Sequence, residues 1–195
     1  MEIRELDNSY KGYQIQFKYE SDMLYEVTRD NLSFIITPKQ VPLYTKKFVD
    51  TLFEDWIDNP VAYGMFDEDK LVGVVELGDE SYASRLRVQE LWVEESYRRK
   101  GIGHMLMDKA MEYAKNHKYQ RVILETQNVN YPAMCFYQKY GFTLIGLTTT
   151  EYDDKEEFKG EVRFEMGYNL DQKWVIIWSK KFMKLLMKWR MKLFI

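Results

Sequence analysis

Cysteine, histidine and proline are scarce in this 195-residue chain, and each scarcity removes a possibility. The single cysteine, Cys135, cannot close an internal disulfide, so a secreted disulfide scaffold is excluded. Two histidines, His104 and His117, with that one cysteine make no metal-ligand spacing, and no metal site is expected. No stretch of about 20 apolar residues occurs, so no helical membrane span is expected. The opening residues Met1 to Asp7 are already charged, unlike a signal segment, and a cytoplasmic location is the expectation. Internal repeats and low-complexity segments are absent as well. What is present is 46% hydrophobic and 16% aromatic residues, which suits one folded domain with a sizeable core.

Charge is unevenly spread. The net charge is −3, but from Ser179 onward six cations stand with no acid. Without them, residues 1–178 carry 22 basic against 31 acidic groups, a net −9. An acidic body suits a cationic small molecule and argues against nucleic acid as a partner. Residues 1–170 read as one domain, and residues 171–195 as a basic amphipathic helical tail. In that tail Phe182, Leu185, Leu186, Trp189 and Leu193 recur at helical spacing, with Lys181, Lys184, Lys188 and Lys192 on the other side. Such a helix packs with a solvated lysine face, covers the acidic body, joins two subunits in a homodimer, or lies on an anionic membrane.

Hydrophobic periodicity divides the body into strands and helices. YQIQFKYE alternates and LSFIIT is a short apolar run, so residues 2–37 read as strands. VPLYTKKFVDTLFEDWI places Phe48, Leu52 and Trp56 at helical spacing before Asn59-Pro60, which predicts a helix. VAYGMF, KLVGVVEL, RLRVQELWV and RVILETQ read as strands. A helix is expected from Gly103 to Asn116, and another over 131–140 with Pro132 near its start and Gly141 as its stop. FTLIGLTTTEY and EVRFEMGYN close the body as a hairpin around Asp153 to Gly160. The expected architecture is α/β: a twisted, mostly antiparallel mixed sheet with helices on both faces.

The segment YRRKGIGHML, residues 97–106, joins a strand to a helix. Uncapped N–H groups at a helix start attract anions, glycine lets the backbone approach them, and Arg98, Arg99 and Lys100 add positive charge. It is neither a G-x-x-x-x-G-K-[ST] loop nor a G-x-G-x-x-G fingerprint, since position 106 is Leu106. Taken alone it is equally a basic solvated loop.

A second segment moves that balance. VEESYRRKGIG resembles the acetyl-CoA signature [RQ]-x-x-G-x-[GA] of the GNAT superfamily of N-acetyltransferases, carried by Arg98, Gly101 and Gly103. Downstream, NYPAMCFYQKYGF is similar to the family's second signature through Asn130, Ala133, Phe136, Tyr137, Lys139, Gly141 and Phe142. Within the superfamily, LETQNVN…AMCFYQKYGF most resembles streptothricin acetyltransferases, and the match weakens outside that stretch. The resemblance implies a GNAT fold and acetyl-CoA as cofactor. It implies that the pyrophosphate rests on the backbone of Arg98, Arg99, Lys100, Gly101, Ile102, Gly103 and His104, and that the pantetheine arm lies along Leu91, Trp92 and Val93, with Asn130 near it. Asn130 is equally a helix N-cap.

Acetyl transfer to an amine needs a neutral amine, a donor for the oxyanion and a donor for the departing sulfur. The resemblance assigns the last to Tyr137 and suggests Glu90 as general base. Glu76 and Glu125 are rivals, and the three carboxylates together are expected to line one cleft and attract a cationic acceptor. Replacing Glu90 by Gln is expected to slow the reaction mainly at low pH. Cys135 reads as a buried thiol, so direct transfer is expected without a covalent intermediate. The alternatives are a peptide N-acetyltransferase and a non-catalytic acyl-CoA-binding module.

Overall fold

The computed structural model describes residues 1–150 and 161–170 of the chain. The expected tail over 171–195 and the tip of the last hairpin therefore lie outside the described residues. Seven strands form one sheet: β1 (Glu2–Leu6), β4 (Val61–Asp67), β5 (Lys70–Glu80), β6 (Arg85–Val93), β7 (Arg121–Gln127), β8 (Thr143–Thr148) and β9 (Arg163–Asn169). Their order is β1-β4-β5-β6-β7-β9-β8, and only the β6–β7 pair is parallel. Two more strands, β2 (Gln14–Asp30) and β3 (Ser33–Thr51), make a separate long hairpin. The helices are α1 (Ile102–Asn116) and α2 (Tyr131–Tyr140). The mixed, mostly antiparallel sheet and both glycine-bounded helices agree with the sequence reading.

Helix α1 buries Ile102, Leu106, Met107, Ala110, Met111 and Ala114 against one sheet face. Gly73 on β5 allows the close approach, because a Cβ there would meet Ile102 and Leu106 at 3.0 Å. The opposite face packs Val74, Ala62, Phe66 and Leu71 beneath Ile15, Leu52 and Phe53.

That second face corrects one expectation. The segment read as a helix over 41–57 is strand β3 through Thr51, followed by a turn. Positions 48, 52 and 56 are four apart, and a step of four fits a helix face and a strand face alike. Phe48 stacks on Phe17 across the hairpin at 4.7 Å, Leu52 is fully buried, and Trp56 is 66% exposed. The finer signal is alternation: Tyr44, Lys46, Phe48 and Asp50 are at least half covered, while Leu43, Lys47 and Val49 face solvent. Pro38 and Pro42 lack an N–H for helical bonding and sit on the strand.

The hairpin is fastened where it crosses the sheet. Asn128, buried just beyond β7, donates from Nδ2 to Tyr25 C=O at 2.9 Å and accepts the Val162 N–H at 2.8 Å. Lys46 on β3 reaches both Glu161 carboxylate oxygens at 2.7 Å in a buried ion pair. Tyr44 adds its hydroxyl, donated to Val129 C=O beyond β7.

Candidate active site

The sheet opens between β6 and β7. Their parallel pairing runs from Arg85–Arg121 to Val88–Leu124 and stops there, while β6 continues to Val93 along β5. The backbone beyond Val88 is therefore unpaired on its β7 side and can accept an extended arm as an added strand. A bulge at Gln89 sets the faces: Glu76 stands opposite Glu90, whereas Leu77 stands opposite Val88. After it, Leu91 and Val93 pack toward the α1 side and Trp92 toward the other.

A cleft of about 480 Å³ follows this opening. Its walls come from β2 (Phe17, Lys18, Tyr19), from Leu91, Trp92 and Val93, from the glycine loop, and from α2 (Phe136, Tyr137, Lys139). Asn130 lines it too and caps α2, accepting the Ala133 N–H at 3.2 Å. Trp92 donates its indole N–H to Gln16 C=O at 2.8 Å, which ties the hairpin to the cleft.

At one end lies the helix start. The first helical hydrogen bond runs from Met105 N–H to Gly101 C=O, and no side chain caps the turn, so the N–H groups of Ile102, Gly103 and His104 point outward. Gly101 has φ 85°, and a Cβ there would meet nothing within 4 Å. This donor set in open space fits a pyrophosphate. The arginines and the lysine divide their work differently than expected. Arg98 donates to Val93 C=O at 2.9 Å and Lys18 C=O at 2.6 Å, so its side chain fastens the loop to β2 and β6. Arg99 lines the cleft with a left-handed backbone, φ 60°. The Lys100 side chain turns away, its ammonium 4.7 Å above the Tyr97 ring and outside the cleft lining. The His104 ring packs edge-on against Phe136 at 4.9 Å, which leaves its backbone N–H for the anion.

Tyr137 on the cleft wall lies near Glu90, and contrary to expectation none of Glu90, Glu76 and Glu125 lines the cleft itself. Burial pushes the Tyr137 hydroxyl above its ordinary value, and the nearby Glu90 charge adds to this. Burial also pushes Glu90 up to about 10, with Asp50 bonded beside it and Glu76 and Glu54 nearby. Glu76, fully buried, is pushed up to about 7 by burial, by Asp50 and by Glu54, although the Phe53 N–H donated to its Oε1 at 2.7 Å opposes this. Glu76 and Glu90 thus converge. Glu125 does not join them: its carboxylate sits 3.6 Å from Arg87 and 3.5 Å from Arg163, within an ion-pair network that includes Glu165 and Glu80. Asp50 and Glu54 were missed in the sequence because their segment read as a helix. Among the described residues no cluster of three or more His, Cys, Asp or Glu could hold a metal, and no helix is long and apolar enough to cross a membrane.

A strand that ends in an uncapped glycine turn, beside an opening in a mixed sheet, suits an acyl-CoA-dependent transferase site. The chain matches the acetyltransferase (GNAT) family over residues 22–142, and it belongs to that family. It is 28% identical over 138 residues to the streptothricin acetyltransferase of Escherichia coli, covering 71% of this chain and 78% of that protein. The crystal structure of a nourseothricin acetyltransferase superposes with a TM-score of 0.73 at 26% identity, over 86% of this chain and 97% of that one. A Bacillus anthracis str. Ames protein assigned to the streptothricin acetyltransferases, solved in complex with acetyl coenzyme A, superposes with a TM-score of 0.70 at 22% identity, over 87% and 97%. The protein is therefore an acetyltransferase, and acetyl-CoA is its acetyl donor.

Proposed function

We propose that the enzyme transfers the acetyl group directly to a primary amine of a small cationic acceptor of the streptothricin kind. The observation that carries this reading is the set of carboxylates Glu76, Glu90 and Asp50 near Tyr137, which itself lines the cleft. When bound, acetyl-CoA supplies a thioester carbonyl for attack. The N–H groups of Ile102, Gly103 and His104 hold its pyrophosphate, and the unpaired edge of β6 orients the arm behind it. In its ionised form, the minority form at neutral pH, Glu90 receives the proton of the incoming ammonium. Its raised pKa lies near that of an alkyl amine, about 10.4, so the transfer is close to balanced. Tyr137 stays protonated and donates a hydrogen bond where the sulfur gains charge. Because a thiol near 8.5 is more acidic than this tyrosine, Tyr137 stabilises the departing sulfur without giving up its proton, and the second proton of the attacking nitrogen passes to that sulfur as the C–S bond breaks, leaving the amide and the CoA thiol.

Thiol release from acetyl-CoA across an amine panel that includes streptothricin and peptide N-termini tests the reading. Turnover of streptothricin or another small cation supports it. Preference for peptides would reassign the acceptor. CoA binding without turnover on any amine would identify a non-catalytic binding module.

A further inference from the structure

Asp50 is the penultimate residue of β3 and Glu54 follows in the next turn, and both lie near Glu76 and Glu90. Asp50 accepts the Thr51 N–H at 2.9 Å and bonds to Glu90. Glu54 accepts the Trp56 indole N–H at 2.6 Å. Between them the buried Phe53 is held at φ 58°, and in that conformation its N–H reaches Glu76 Oε1. Glu76 is 0% exposed, and its other oxygen, Oε2, is buried without a hydrogen-bond partner. Below about pH 7 a proton satisfies that oxygen; once Glu76 ionises, an acceptor without a donor and three carboxylates near it call for a cation. The reacting amine cannot be that cation throughout, because it must be neutral when it attacks.

We propose that Asp50 and Glu54, with Glu76 beneath them, hold a second ammonium group of the acceptor, so that the enzyme selects diamines and larger polycations over monoamines. This rests on the acetyl-transfer reading above and adds to it the residues that set acceptor class. Glu90 faces the reacting nitrogen. The second nitrogen keeps its charge through the reaction and offsets the remaining carboxylates.

The test compares putrescine and cadaverine with n-butylamine as acceptors for the full-length enzyme. The diamines should have a kcat/KM about tenfold or more above the monoamine, the loss that one charge-assisted contact carries. Glu54→Gln and Asp50→Asn should each pull that ratio toward one. The ratio is unaffected by how much of a variant preparation is folded, since the active fraction cancels. Calorimetric titration of putrescine into the CoA-bound protein supplies the second readout. Equal turnover of both amine types, or a ratio unmoved by both substitutions, overturns the proposal and leaves acetyl transfer standing. Putrescine binding that weakens in Asp50→Asn, with no turnover of any amine, supports this site and overturns acetyl transfer. Neither binding nor turnover overturns both.

Discussion

At Tyr137 and Glu90 the surroundings of the side chain decide the chemistry. Tyr137 sits among Phe136 and Phe142, with ring centroids 5.5 and 6.0 Å away, and near Glu90. Tyr137→Phe keeps this packing and removes only the donor. It should lower kcat about 100-fold while leaving the dissociation constant for acetyl-CoA unchanged, which stopped-flow turnover and equilibrium dialysis can separate. The motif in which Tyr137 lies made it visible in the sequence. For Glu90 the sequence suggested a base whose loss matters mainly at low pH, and burial beside Asp50 reverses that sign. With its pKa raised to about 10, Glu90 is mostly protonated at neutral pH, and its basic form grows as pH rises. The deficit of Glu90→Gln relative to the parent enzyme should therefore widen from pH 7 to pH 10. A deficit that is constant across that range would remove Glu90 from the proton path.

At the level of elements, the strands β4 to β7 and both helices were legible because their periodicity had one interpretation. The β3 segment had two, since its apolar residues at steps of four satisfy both, and propensity alone did not separate them. That single ambiguity hid the hairpin and, with it, Asp50 and Glu54. The glycine turn was legible as a motif, but the separate roles of its residues were not. Gly101 needs glycine for its backbone, at φ 85°, whereas a Cβ on Gly103 would rest 3.6 Å from the Phe136 ring in ordinary contact. Gly101→Ala should cost on the order of 1 kcal/mol of stability and weaken acetyl-CoA binding, while Gly103→Ala should do neither. Arg98 is the counterpart among the cations. Removing its two bonds to Val93 and Lys18 carbonyls by Arg98→Ala should lower stability by about 2 kcal/mol, seen as a thermal midpoint several degrees lower. Lys100→Ala should leave CoA binding nearly unchanged, because that ammonium rests on Tyr97.

On the scale of the whole molecule, the acidic body gathers part of its charge where folding pays for it. Carboxylates paired with cations, such as Glu80 with Arg85 and Arg87, have depressed pKa values and stabilise the fold above the ordinary carboxylate range, an effect complete by mildly acidic pH. Glu76 and Glu90 act in the opposite direction. Their folded-state values are raised, so the stability associated with their protonated forms is full below about 4.5 and is lost as pH climbs through the folded values. For Glu76 this window runs from about 4.5 to about 7, and a shift of that size corresponds to about 3 kcal/mol. The thermal midpoint should fall between pH 5.5 and pH 8, where the paired carboxylates are already fully ionised. Glu76→Gln keeps an acceptor for the Phe53 N–H and cannot ionise, so its midpoint should be flatter over the same interval. A polycation that binds the native cluster should restore the parent midpoint at pH 8 more than at pH 5.5, since only the ionised cluster attracts it. Differential scanning fluorimetry at the two pH values, with and without putrescine, measures all three effects; parallel curves for parent and Glu76→Gln would show that the buried carboxylate does not set the pH response.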